Sequence, residues 1–234
     1  MLKSVIILFI PFFLISQNNV CFEIEQNNSG VQALNLFPKY VNVLDCIHIY
    51  AEQSISDSKV LHAAAIAAEL LDNDEDGIID DENVKNELMG LYTIMPLFAY
   101  EGSNAEDILF NNFEDLKENN NFCSGAVLYN NEIDPYSPGF WGNDASVEEV
   151  LHTINSCSHV EIYPDVFGLD PNSSDMSAAM DVARGGQFLS IPNPYPEEGW
   201  YHYDDWTCDY QCMAMEYLYW CIVANMGLLD NNMI

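Results

Sequence analysis

Residues 72–84 read DNDEDGIIDDENV, and this short stretch constrains the fold more than any other. Asp72, Asp74 and Asp76 alternate with other residues, and Gly77 follows them. Carboxylates this close repel one another unless a cation lies between them. Gly77 permits the sharp turn that would bring them together. The flanking residues are helical in pattern. Asp57 or Ser58 can cap an Ala-rich helix over Val60–Leu71, and a second helix is expected from about Asp81 to Met89, stopped by Gly90. The loop is therefore held at both ends, and the expected unit is helix-loop-helix.

The rest of the composition agrees with a cation-binding surface. Six Lys and Arg stand against 37 Asp and Glu, giving a net charge of −31. Such a surface repels phosphate backbones and anionic membranes, which excludes nucleic acid as a partner and argues against membrane binding. Apolar residues make up 49% of the chain, enough for a packed core. Metal cations are the expected partners, with a peptide or an extracellular protein as the macromolecular alternative.

Lys3 followed by the apolar run Val5–Ile15 and polar Ser16–Asn19 reads as a secretory signal over residues 1–20. The run is too short to span a bilayer; a retained N-terminal anchor is the alternative. Residues 21–234 then form a single secreted domain, with the acidic loop at 72–83. Seven cysteines (Cys21, Cys46, Cys123, Cys157, Cys208, Cys212 and Cys221) should mostly pair in an oxidising compartment. Cys208 and Cys212, one helical turn apart, are expected to pair elsewhere rather than with each other. Asn27 and Asn172 open N-x-S sequences that a glycan can occupy.

Further helices are expected over Tyr40–Gln53, from Ser146, over Ser174–Arg184, and from about Asp205 to Met226. Short strands are expected at Tyr92–Met95 and Ala126–Tyr129, and a turn-rich stretch at Asn130–Asn143. The fold class is α+β, helix-dominated, with few short strands.

The loop closely resembles the EF-hand motif. Asp72, Asp74 and Asp76 fall at positions one, three and five, Gly77 at six, and Ile79 at the apolar eighth position. The resemblance implies calcium ligation by those three Asp, by the Ile78 carbonyl, and by Asp80 at position nine. Position twelve departs from the pattern: it is Asn83, with Glu82 one residue early. Either Glu82 swings in or the site lacks an oxygen, so an affinity on the order of 10⁻⁴–10⁻³ M is expected. No second loop of this type is present, which suits a structural or modulatory ion better than a sensor.

A second motif lies at residues 146–152, SVEEVLH. Glu148 and His152 share a helical face four residues apart. The stretch resembles the H-E-x-x-H helix of zincin metallopeptidases with the first His replaced by Glu148. The resemblance implies zinc ligation by Glu148 and His152, with Glu149 as general base. A third ligand in the gluzincin manner would be Glu216, within the apolar stretch CMAMEYLYWCIV. His159 is one residue too far along for the alternative metzincin spacing. His202 and Tyr203 are placed near the reacting carbonyl by looser analogy.

Plainer roles compete with these. Ser146 and Glu149 fit a capping box, Glu148 suits a helix N-terminus, His152 fits a core histidine, and Glu216 could pair with Arg184, the only arginine. His62 and Glu69 share a face of the earlier helix and form either another pair or a polar patch. Three readings follow: a secreted acidic calcium-binding protein with a zincin-like metal site; a zinc-dependent peptidase or its inactive relative; and a non-enzymatic extracellular interaction protein stabilised by calcium and disulfides.

Overall fold

The computed structural model describes residues 22–136 and 144–227. The expected signal segment, Cys21 and residues 137–143 of the turn-rich stretch lie outside them. The described chain is α+β and helix-dominated, built around a mixed sheet. Its strands are β1 (Glu25–Gln26), β2 (Lys39–Val43), β3 (Ile47–Ala51), β4 (Tyr92–Phe98), β5 (Phe122–Cys123) and β6 (Leu128–Tyr129). β1 through β3 pair antiparallel. β4 runs parallel to β3, with β5 parallel to its start and β6 parallel to its end.

The helix expected over Tyr40–Gln53 is instead the β2–β3 hairpin. Val41 faces Ile49 and Val43 faces Ile47 across the pair. These β-branched residues alternate with others, a period-two pattern that favours a strand. Leu44 and Asp45 both take positive φ (52° and 59°), and the Cys46 N–H donates to the Val43 carbonyl. Two successive positive φ values give the turn the twist a strand pair requires, and the pairing of Val43 with Ile47 leaves Cys46 as a third residue in the connection. Asn42 and Asp45 bridge the turn through their side chains.

Alternation continues in the two central strands. Ile49, Met95 and Leu97 point into one core, while Tyr50, Ile94 and Phe98 point into the other. The first core is covered by α1 (Asp57–Leu71), α2 (Glu82–Gly90) and α4 (Ser146–Ile154). The second is covered by α3 (Asn104–Asn120), through Ala105, Leu109 and Leu116. α3 lies outside the elements expected from sequence; its many acids and asparagines obscure an apolar face. Its N-terminus is capped by Ser103, whose hydroxyl accepts from the Glu106 N–H.

After α4 the chain makes a π-helical turn over Asn155–His159. It continues through α5 (Val160–Ile162), α6 (Pro164–Phe167) and α7 (Asp175–Ala183) to α8 (Tyr210–Met226). α8 packs on α4 through Tyr219 and Val223 against Leu151.

One disulfide, Cys123–Cys157, ties β5 to the π-helical turn. The other joins Cys208 to Cys212, contrary to expectation. The reason is that α8 starts at Tyr210, not Asp205, so Cys208 sits before the Asp209 cap and its Cα comes 5.3 Å from that of Cys212. Among the described residues Cys46 and Cys221 have no disulfide partner. Two disulfides mark an oxidising environment. Among the described residues no helix is long and apolar enough to cross a membrane.

Candidate metal centres

The acidic loop hangs between α1 and α2. Asp72 closes α1 and is buried; Asp74 and Asp80 are exposed. Positive φ at Glu75 (57°) and Gly77 (86°) turns the chain back on itself. Asp72 carries much of the turn: its Oδ1 accepts from the Asp76 N–H (3.2 Å) and its Oδ2 from the Gly77 N–H (2.7 Å). The Asp80 N–H donates to the Leu71 carbonyl (3.0 Å), and Asp80 Oδ2 accepts from the Asn73 backbone and side chain.

The result is a convergence of hard oxygens. Asp72, Asp74 and Asp80 each offer one within 4.8 Å of the others. Neighbouring Asp76 raises the Asp74 pKa by repulsion, while the Asn73 bonds hold that of Asp80 down. Among the described residues no Lys, Arg or His forms an ion pair with any of the three.

The other expected ligands fall differently. Asp76 accepts from the Ile78 N–H and lies outside this trio. Ile78 is exposed, and Ile79 is buried in the core as its position predicts. Glu82 stands on α2 with an oxygen 3.6 Å from Lys85 Nζ. Asp81 is the α2 cap, accepting from the Asn83 and Val84 N–H groups and from the Tyr163 hydroxyl. Asn83 donates its side-chain amide to that same hydroxyl.

The second cluster lies between α4 and α8. The expected Ser146–Glu149 capping box does not form: Ala145 is the N-cap, and Ser146 Oγ is buried without a partner. Asp144 fixes the helix start instead, accepting from the Ser146 N–H and pairing with His62 Nε2 at 2.6 Å. His62 therefore pairs with Asp144 rather than Glu69. Glu149, freed from capping, places Oε2 3.7 Å from His152 Nδ1.

His152 Nε2 in turn lies 3.9 Å from Glu216 Oε1 on α8. His152 is 7% exposed and Glu216 8%. His152 Nε2 and Glu216 Oε2 are buried with no hydrogen-bond partner. Arg184 does not fill this gap: its guanidinium donates to the Phe188 carbonyl and lies over the Phe188 ring.

Glu148 is the third member. Burial raises its pKa, and Glu216 and Glu149 raise it further. Burial raises that of Glu216 too, against the lowering effect of His152. For His152, burial favours the neutral ring, yet Glu149, Glu216 and Glu148 together hold the pKa above the usual histidine value. Glu148, His152 and Glu216 do not bring one ligand atom each within 4.8 Å; among the described residues only the loop Asp residues do.

Tyr203 lies beside Glu216 and Glu148, and its pKa is raised by burial and then by their charge. His202 points away, stacking on Tyr195 and bonding to the Gly199 carbonyl. His159 stacks on Phe167 and faces Asp81 at the end of the acidic loop, apart from His152.

Glu149, His152 and Glu216 open onto a cleft of about 670 Å³, walled by α3 and by residues 124–127. Gly125 makes that wall possible. A Cβ there would come 2.6 Å from the His152 carbonyl oxygen and 2.7 Å from Thr153 Cα. A lone glycine in S-G-A-V carries no sequence signal of this approach; the close backbone contact with α4 appears only in three dimensions.

No protein-family model, curated protein or solved structure matches the chain.

Proposed function

We propose that this chain is an extracellular calcium-binding protein whose Asp72–Asp80 loop holds the ion. The observation that supports this best is the approach of the Asp72, Asp74 and Asp80 oxygens to within 4.8 Å without a cationic side chain among them. Calcium favours six to eight oxygens, and the Ile78 carbonyl, Asp76 and water complete the set in this reading. The charge of −31 and the two disulfides suit a calcium-rich, oxidising environment. Titration calorimetry at roughly millimolar calcium tests it. The wild type is expected to give heat that saturates and Asp74→Ala to give a flat trace; flat traces from both would end the proposal.

A second reading, that the chain also carries a zinc-dependent hydrolase site, is favoured by the orphaned His152 Nε2 and Glu216 Oε2. Buried polar atoms without partners are uncommon and ask for a ligand. His152 Nε2 and the Glu216 carboxylate, 3.9 Å apart, are two donors of the kind zinc takes. Glu148 must turn toward His152 to complete the donor set. Bound there, zinc would act as a Lewis acid on a carbonyl and make water more acidic.

In this reading Glu149 receives the proton of the attacking water. The Tyr203 hydroxyl is a neutral donor for the developing negative oxygen. Residues 124–127 and α3 enclose the substrate. Zinc content after dialysis tests the site: a stoichiometry near one, lost in His152→Ala, is expected, and a zinc-free wild type would rule it out. Zinc retained without cleavage of any peptide would identify an inactive relative.

A further inference from the structure

We propose that the cleft between α3 and α4 takes an extended peptide with a basic side chain next to an apolar one. This names a substrate class for the hydrolase reading and rests on that reading for turnover, but not for binding. The volume, about 670 Å³, lies within the range of roughly 300–1,000 Å³ typical of ligand sites.

Its lining separates into two characters. The α3 side presents Leu109, Phe110 and Phe113, and Phe110 is 52% exposed. An aromatic ring left in water at the wall of a cleft favours an apolar partner. The other character is acidic. Glu114, Glu132, Glu149 and Glu216 all line the cleft, and no Lys or Arg does.

The floor contains the buried, unpartnered His152 Nε2 and Glu216 Oε2, so this is a site with unmet polar atoms and not merely an acidic surface. Glu132 is fixed in place, its Oε2 accepting from the Tyr129 N–H at 3.1 Å. Burial raises its pKa, and nearby Glu149 and Glu101 add to the shift. Lys59, on α1, donates to the Asn130 carbonyl and is not part of the lining. A guanidinium or ammonium from a peptide would supply the missing counter-charge, whereas an acidic side chain would meet four carboxylates.

Fluorescence anisotropy on the full secreted chain tests this with blocked, labelled hexapeptides carrying Arg-Leu, Glu-Leu or Arg-Gly at their centre. Arg-Leu is expected to bind at least about tenfold tighter than either of the others. Glu114→Gln with Glu132→Gln should reduce the Arg-over-Glu preference by about threefold or more. The amide oxygen introduced by Glu132→Gln can still accept from the Tyr129 N–H, so the local fold is kept. Phe110→Ser should weaken Arg-Leu and leave Arg-Gly unchanged.

Glu69→Gln, at an exposed position of α1, is the control for general surface charge and should change nothing. Equal loss of preference in Glu69→Gln and in the cleft variant would overturn the proposal, as would Arg-Gly binding as tightly as Arg-Leu. Zinc content is read separately. Zinc binding without the peptide preference overturns this inference alone. The preference in a zinc-free protein upholds it and removes the hydrolase reading.

Discussion

The two acidic centres of this protein differ in how their charge is accommodated. In the acidic loop, Asp74 and Asp80 are exposed, and the carboxylates accept from Asp76, Gly77 and Asn73 N–H groups. Near water, like charges about 4 Å apart repel by only about 1 kcal/mol, so the bend can form before an ion arrives. Between α4 and α8 Glu216 and His152 are buried, Glu148 and Glu149 are half-buried, and His152 Nε2 and Glu216 Oε2 have no hydrogen-bond partner. There, charge must be neutralised by a proton or a metal. Exposure therefore leaves the loop free to form with or without a cation, whereas burial makes neutralisation, by a proton or by a metal, a condition of the fold.

The largest effect should come from the buried centre. Glu149→Gln keeps the shape of the side chain and removes its basicity. Peptide turnover should fall about 10²–10⁴-fold with zinc content unchanged, read with a quenched fluorescent substrate and metal analysis. Unchanged turnover would remove Glu149 from the chemistry and weaken the contrast between the centres.

The same contrast predicts a pH dependence in the presence of chelator. Glu148 is raised from the ordinary 4.5 to about 8, and Glu216 and His152 are raised as well. A raised folded-state pKa contributes stability that is complete below the unfolded value and is lost as pH rises through the folded value. The metal-free protein should therefore lose melting temperature between about pH 4.5 and pH 8, by several degrees. Glu148→Gln should remove much of that slope. A flat profile in the wild type would mean that this region is more hydrated than its burial indicates.

What the sequence made legible was local. The Asp alternation, Gly77 and the buried Ile79 are all read within one short loop, and the structure brings Asp72, Asp74 and Asp80 together. Helices α1, α7 and α8 follow from apolar spacing and caps, apart from the start of α8. The structure departs from the local pattern where tertiary pairing decides. Within Lys39–Ala51 the alternation of Val41 and Val43 and of Ile47 and Ile49 is interrupted by the turn at Leu44 and Asp45, and pairing with the parallel neighbour β4 fixes it as strand. Ser146-x-x-Glu149 matches a capping box, yet Asp144 is better placed and Glu149 turns to His152. The distance between His152 and Glu216 depends on α8 crossing α4 much later in the chain, which no local pattern encodes.

Calcium removal should have a smaller effect than loss of the buried base. With Kd near 10⁻⁴ M, roughly 2 mM calcium stabilises the fold by about 1–2 kcal/mol. For a chain of this size that corresponds to roughly 2–8 °C of melting temperature. A calcium-selective chelator should lower the wild type by that amount and leave Asp74→Ala unmoved. A much larger drop would place calcium among the structural requirements and erase the difference between exposed and buried centres.

The smallest effect is expected at Glu82, and it bears on how the loop departs from the twelve-residue pattern. Glu82 lies in the first turn of α2, with its carboxylate toward Lys85, and Asp81 is committed to capping that helix. Bringing Glu82 to the ion would uncap α2 or unwind its first turn, a loss of about 0.5–2 kcal/mol. The exposed Glu82–Lys85 pair itself contributes only about 0.3–0.5 kcal/mol. Glu82→Gln should thus leave the calcium Kd within about twofold, measured by calorimetry. A tenfold weakening would show that binding draws α2 toward the loop, so that calcium reorganises the helix pair instead of settling into a finished site.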